Sequence, residues 1–243
     1  MVVNPIANPR TSRRQVRVHL VEDDLAVVDL LKWHFNRENW VVDHQAWGGN
    51  VLAPVAAQAP DVIVLDWVGE GSAGPDLCAH LRQTEAGRDA SVLILTGRSD
   101  EADVIRGLES GADDYIIKPV SPTVLVLRIK ASLRRTRVDV TNSQLQLADL
   151  WMDVTARKVK RGARVTQLGP TEFRLLRHLL EHPREVFTRD ELRDAVWGSG
   201  HEIALKSINV HIRRLRNAIN VEGKPELIRT IRGTGYALDE EAQ

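Results

Sequence analysis

Residues 61–65 (DVIVL) and 91–95 (SVLIL) are continuous apolar runs of strand length. A strand with one wet face alternates polar and apolar residues, whereas a strand covered on both faces does not. These two stretches therefore read as the centre of a parallel sheet. Further strand-like runs lie on either side, at 16–21 (VRVHLV), 40–46 (WVVDHQA) and 114–117 (DYII). Helix-length stretches separate them at about 24–38, 49–58, 74–84 and 100–110, and a fifth follows at 122–136. Five βα repeats predict an α/β unit over 16–136, a doubly wound (βα)5 parallel sheet with the flavodoxin-like strand order 2-1-3-4-5.

The polar residues of this unit collect at one end of the predicted sheet. Glu22 and Asp23 come just after the first strand, Asp66 ends the third, Thr96 ends the fourth and Lys118 ends the fifth. Open α/β sheets bind ligands outside the carboxyl ends of their strands, and neighbouring strands lie about 4.8 Å apart. Glu22, Asp23 and Asp66 are thus expected to crowd one crevice. Carboxylates that close raise one another's pKa unless a cation sits among them. Mg²⁺, a hard ion that takes oxygen ligands and keeps several waters, suits such a place. Lys118 offers a point charge for a phosphoryl oxygen, and Thr96 a hydroxyl hydrogen bond. Together these residues make a pocket for phosphoryl transfer with Asp66 as acceptor. A strand-end aspartate taken singly is usually a cap or turn residue. The chemistry is implied by the concurrence of suitable residues at four strand ends.

The second half reads differently. Residues 137–148 (RVDVTNSQLQLA) are polar, carry no helical stripe and are taken as a linker. Short strand-like pieces at 149–167, helical segments at 171–182, 188–196 and 203–220, and a hairpin at 228–238 predict a winged helix-turn-helix domain over 149–240. Charge divides in the same way. The chain of 243 residues is neutral overall, yet 16–136 holds 12 Lys and Arg against 18 Asp and Glu, a net of −6. Residues 155–238 hold 17 against 9, a net of +8. A basic domain is a candidate for nucleic acid. In the helix at 204–219 (ALKSINVHIRRLRNAI), Ile208, Ile212, Leu215 and Ile219 form one face, with Lys206, Val210, Arg213, Arg214 and Asn217 opposite. A helix that packs on a core while lying in a major groove has this form. No acidic residue interrupts 203–219, unlike a salt-bridged surface helix. Gly233 and Gly235 allow a tight turn in the hairpin, with Arg232 beside its tip, ready for a minor groove.

The stretches VEDD at 21–24, VLDW at 64–67, LTGR at 95–98 and GADDYIIKP at 111–119 resemble a response-regulator receiver domain. LGPTEFRLLRHLL at 168–180, VHIRRLR at 210–216 and RGTGY at 232–236 resemble the effector domain of the OmpR/PhoB family of two-component response regulators. The resemblance implies a transcription regulator that is not a metabolic enzyme, with Asp66 phosphorylated by a sensor histidine kinase. It also implies Glu22 and Asp23 as the acidic pair and a Mg²⁺ held directly by Asp23, Asp66 and the Val68 carbonyl. Thr96 and Tyr115 would form a switch pair. Two receivers would then pair through the surface of the fourth helix, fifth strand and fifth helix (about 100–136). Asp100, Glu101, Asp103 and Asp113 there face Arg106, Arg128 and Lys130 as complementary charges. The dimer would bind double-stranded DNA with direct-repeat half-sites and work with RNA polymerase. Lys206, Ser207, Val210, His211, Arg213, Arg214 and Arg216 are implied at the major groove or its phosphates, Thr230, Arg232 and Tyr236 in the wing, and Trp197 before the reading helix. The chain departs from the family where Leu-Pro-Gly-Met usually follows the phosphoacceptor, having Gly69-Glu70-Gly71-Ser72, although Gly74 keeps its spacing. It departs again at Lys206 and Asn209, usually arginine and aspartate, so a relative's base preference does not transfer.

Rival motifs are weaker. His178-Leu-Leu-Glu-His182 fits an H-x-x-E-H zinc pattern, but Leu175, Leu176, Leu179 and Leu180 make it a core helix. An aspartyl-phosphate phosphatase of the haloacid dehalogenase kind also uses Asp, Thr, Lys and Mg²⁺, yet its acid/base aspartate belongs where this chain has Val68. Cys78 is the only cysteine, so no intrachain disulfide forms, as suits a reducing cytoplasm. No apolar run approaches membrane-span length, and residues 1–15 read as a disordered tail.

Overall fold

The apolar runs assemble as a five-stranded parallel sheet in the order β2-β1-β3-β4-β5. In this computed structural model the residues described are 15–67, 73–133, 143–198 and 205–240, without the side chains of Leu205 and Lys206. The expectations for the tail before Gln15, for Val68 and the Gly69–Ser72 loop, for residues 134–142 and for the Lys206 side chain fall outside them. The strands are β1 (Arg17–Val21), β2 (Val41–Gln45), β3 (Val62–Asp66), β4 (Ser91–Thr96) and β5 (Asp114–Ile117). Helices α1 (Leu25–Arg37), α2 (Leu52–Gln58), α3 (Ala73–Gln83), α4 (Glu85–Asp89), α5 (Glu101–Glu109) and α6 (Pro122–Ser132) surround them. Every residue of β3 and β4 is buried, as their unbroken hydrophobicity requires. One sheet face packs Val18, Leu20, Val64 and Leu93 under α1 and α6. The other packs Ile63, Leu65, Val92 and Ile94 under the remaining helices. The short helix α4 was not anticipated. Thr84 caps it by accepting a hydrogen bond from the Gly87 amide.

The second domain begins earlier than the sequence suggested. Residues Gln144–Leu147, expected in the linker, form β6. This strand pairs antiparallel with β7 (Leu150–Asp153), followed by β8 (Lys158–Arg161) and β9 (Arg164–Thr166). Then come α7 (Pro170–Glu181), β10 (Val186–Thr188), α8 (Arg189–Trp197), α9 (Leu205–Ile219) and the wing hairpin of β11 (Ile228–Ile231) and β12 (Gly235–Leu238). Thr188 and Glu191 form a reciprocal capping box at the start of α8. Ile208, Ile212, Leu215 and Ile219 enter the second domain's core, as the helical spacing predicts. No helix of the described residues is long and apolar enough to cross a membrane.

Candidate functional site

The sheet register sets the first site. Val21 is opposite Leu65, so the residues that follow, Glu22 and Asp66, leave adjacent strand ends. Asp66 pairs with Leu95, and Thr96 with Ile117, which brings Thr96 and Lys118 to the same rim. The Lys118 ammonium lies 2.8 Å from Glu22 Oε2 and 2.9 Å from Asp66 Oδ2. Both carboxylates are almost wholly buried. Burial, with Glu22 alongside, pushes Asp66 up to about 6 despite the lysine. Burial acts on Glu22 too, but hydrogen bonds from Lys118 and from the Asp24 amide help hold it below its ordinary value. The crevice is therefore over-supplied with negative charge that one ammonium only partly offsets. Asp23, expected as the third carboxylate of this nest, is exposed and accepts a hydrogen bond from the Trp47 amide at 2.7 Å. Among the described residues no three His, Cys, Asp or Glu side chains gather closely enough to hold a metal.

The two residues expected to form a switch pair are tied down. Thr96 is fully buried and its hydroxyl donates to the Trp67 carbonyl at 2.9 Å. Burial, with Asp103 nearby, pushes Tyr115 up to about 12, and its hydroxyl donates to the Arg98 carbonyl at 3.0 Å. The Tyr115 ring packs so closely on α5 that a Cβ at Gly107 would fall 2.8 Å from it.

The helix expected to read DNA is partly covered by the first domain. α9 lies against α5, and α8 against α6. Val210, expected to meet a thymine methyl, packs into the first domain's core. Arg214 Nη1 donates to the carbonyls of Leu108 (3.1 Å) and Ala112 (2.8 Å), Nη2 to that of Gly111 (3.3 Å) and to Glu172 (3.2 Å). Arg213 pairs with Glu109. The basic face of α9 thus caps the carboxyl end of α5 and the turn after it, where a cation meets carbonyl oxygens and the negative end of the helix dipole. A reciprocal contact runs the other way. α7 has glycine at its N-cap and no side-chain cap of its own, and the Thr171 amide donates to Asp113 Oδ1 at 3.0 Å. Each domain thereby caps a helix of the other. Asp113 is completely buried, and its other oxygen takes Arg82 and the Val92 amide. This corrects its expected place among the surface charges of 100–136. It sits under α7 because the turn before β5 faces the second domain. Asp103 bonds Arg98, Arg128 bonds Asp114 and Lys130 bonds Glu38, so these charges have intrachain partners.

The other residues singled out for DNA are distributed as follows. Ser207 is buried. His211 and Trp197 are buried, their rings 5.3 Å apart, and His211 donates from Nδ1 to Glu172 at 2.8 Å. The Trp197 Nε1–H donor and the other ring nitrogen of His211, Nε2, have no partner among the described residues. Arg216 donates to Thr230 Oγ1 and the Ile228 carbonyl, and the Tyr236 hydroxyl donates to Asn209 Oδ1. Arg232 is exposed at the wing tip. The H-x-x-E-H stretch is structural. His178 and His182 stack with Phe187, and His182 Nδ1 donates to the His178 carbonyl.

A five-stranded parallel sheet with an acidic rim and a half-buried lysine, joined to a winged helix with a basic helix, defines a two-domain response regulator. Comparison with known proteins agrees. Residues 18–130 match the response regulator receiver domain, and 163–238 match the C-terminal domain of transcriptional regulatory proteins. The chain is 39% identical to the phosphate regulon transcriptional regulatory protein PhoB of Rhizobium meliloti (strain 1021), over 92% of its own length and 98% of the relative's. It is also 39% identical to the DNA-binding response regulator MtrA of Mycobacterium bovis, over 90% of this chain and 95% of that one. A solved structure of a RitR mutant superposes with a TM-score of 0.73 at 27% identity, covering 93% of this chain and all of the other. The chain belongs to the OmpR/PhoB family of response regulators, whose members regulate transcription in a phosphorylation-dependent manner.

Proposed function

We propose that the arrangement described above is the resting, closed state of the switch, and that phosphorylation of Asp66 by a sensor histidine kinase opens it. The observation that carries this reading is Arg214, a residue of the DNA-reading helix spent on three receiver carbonyls. While they hold it, neither Arg214 nor Val210 can reach a groove. The indole Nε1–H of Trp197, buried with no partner among the described residues, supports the same reading. A buried donor without a partner costs roughly 1–3 kcal/mol, and a DNA phosphate would satisfy it once the receiver leaves. Arg213, Arg214, Arg216, Ser207, Lys206 and the wing residues Thr230, Arg232 and Tyr236 then serve as the DNA surface.

The donor set of the acidic rim fits Mg²⁺. It offers hard carboxylate oxygens, with the Asp66 pKa raised by burial and by Glu22 alongside. Asp66, Asp23 and the Val68 carbonyl would hold the ion, with Glu22 beside them. When bound it neutralises charge on the incoming phosphoryl group. Lys118 adds a second positive charge and Thr96 a hydroxyl donor. With valine at 68 the site lacks the acid/base of a phosphatase, which favours a held mark over rapid turnover.

The surface of α5, β5 and α6 pairs two receivers in the open state, and in the closed one the second domain contacts part of it, through α9 on α5 and α8 on α6. Dimerisation and autoinhibition therefore compete for it. The dimer binds direct-repeat half-sites about one helical turn apart and engages RNA polymerase. Acetyl phosphate with Mg²⁺ should label Asp66 and convert monomer to dimer in sedimentation velocity. Equal dimerisation of Asp66→Ala would contradict the mechanism.

A further inference from the structure

Arg98 contacts Thr96, Tyr115, Trp67 and the first turn of α5. Its amide donates to Thr96 Oγ1 at 3.2 Å, and its carbonyl accepts the Tyr115 hydroxyl. Its guanidinium stacks 4.8 Å from the centre of the Trp67 ring, next in sequence to Asp66. Its Nε donates to Asp103 Oδ2 at 2.8 Å, and Asp103 stands in the first turn of α5. The far end of this nine-residue helix is the end that Arg214 holds. At about 1.5 Å per residue the helix is a short rod of roughly 13 Å, stiff enough to carry a displacement from one end to the other.

We propose that Arg98 is a positioning residue that converts the turning of Thr96 into movement of α5, and so into release of the reading helix. The proposal rests on the closed-to-open reading above. In the resting state the Thr96 hydroxyl is donated to the Trp67 carbonyl. When it turns to a phosphoryl oxygen, the Arg98 amide loses its acceptor and the segment carrying the Tyr115 anchor shifts. The Arg98 side chain passes that shift to Asp103. The guanidinium is about a third exposed, and ion pairs at such sites add little to stability. Its value lies in the direction of the pull.

The test uses the full chain, with a DNA duplex selected from a random pool by acetyl-phosphate-treated wild type. Labelling of Asp66 and the gain in DNA affinity on phosphorylation are measured for wild type, Arg98→Ala and the reversed pair Arg98→Asp/Asp103→Arg. The wild-type gain is expected within the roughly 5–150-fold usual for coupled sites. Arg98→Ala should label normally while its gain falls below about threefold, and the reversed pair should restore at least part of it. If Arg98→Ala keeps the wild-type gain, or if it fails to label, the proposal is overturned and the role of Asp66 is untouched. If the wild type itself shows no gain, the closed-to-open reading falls and the proposal with it.

Discussion

Replacing Arg214 by alanine removes the largest polar contribution to the domain interface. Three of its hydrogen bonds, at 2.8–3.3 Å, go to receiver carbonyls from a guanidinium whose side chain is only 18% exposed. A hydrogen bond to a charged group is worth roughly 1.5–3 kcal/mol net. The three are not additive, because water re-solvates the freed guanidinium as a unit. About 3 kcal/mol for the set is a reasonable figure, and at 1.4 kcal/mol per tenfold it shifts the closed-to-open equilibrium by about 100-fold. Glu172 keeps His211 as a partner, so the second domain is not left with an isolated buried charge. Arg214→Lys should fall between, since a point charge cannot span three carbonyls as a planar fork does. DNA affinity is a poor readout here, because Arg214 serves both states. Hydrogen exchange at residues 108–113 and along α9, together with small-angle scattering, reads closure directly. Unphosphorylated Arg214→Ala should lose protection at both places and expand. Protection and radius equal to wild type would refute the assignment of Arg214 as the clamp.

Three further outcomes are expected. Burial alone would raise Asp113, but Arg82 and the Val92 amide bring it down to about 2 from 3.8. Its stabilising contribution, at 1.36 kcal/mol per unit about 2 kcal/mol, is therefore present above pH 4 and lost as pH falls toward 2. Acid titration of wild type should show this limb, and a limb of the same size in Asp113→Asn would argue against it. His19 is buried with neither ring nitrogen bonded, and burial lowers its pKa despite Asp43 and Gln58 nearby. The unfolded chain then protonates first, so stability should decline as pH drops below about 6.5. His19→Leu should flatten urea midpoints between pH 7 and 5, and an unchanged slope would count against this role. Gly107→Ala sets a methyl 2.8 Å from the Tyr115 ring and should cost about 1–3 kcal/mol through overpacking. A wild-type denaturation midpoint would show that the ring yields freely.

The receiver sheet was readable because burial on both faces leaves unbroken apolar runs, which period and length identify without tertiary information. The rim followed from the sheet itself. Once the parallel order is given, Glu22, Asp66, Thr96 and Lys118 fall at adjacent strand ends by register alone. The hydrogen bond that Asp23 accepts from the Trp47 amide was not legible, because a backbone donor leaves no sequence mark. The closed interface was hidden for the same reason. Arg214 looks like a groove-facing arginine, and its partners are carbonyls. Strand β6 was missed although Leu145 and Leu147 alternate with glutamines. Four residues, two of them glutamines, beside a linker give too short a period to separate from coil.

The central claim is that a mark on Asp66 controls access to the reading helix 108–113 holds in place. Its most direct test is DNA affinity at one fixed salt concentration, with and without acetyl phosphate and Mg²⁺, in wild type and Asp66→Ala. The account predicts tighter binding by roughly 5–150-fold for phosphorylated wild type only. Equal affinity in all four conditions, or an equal gain in Asp66→Ala, would contradict it.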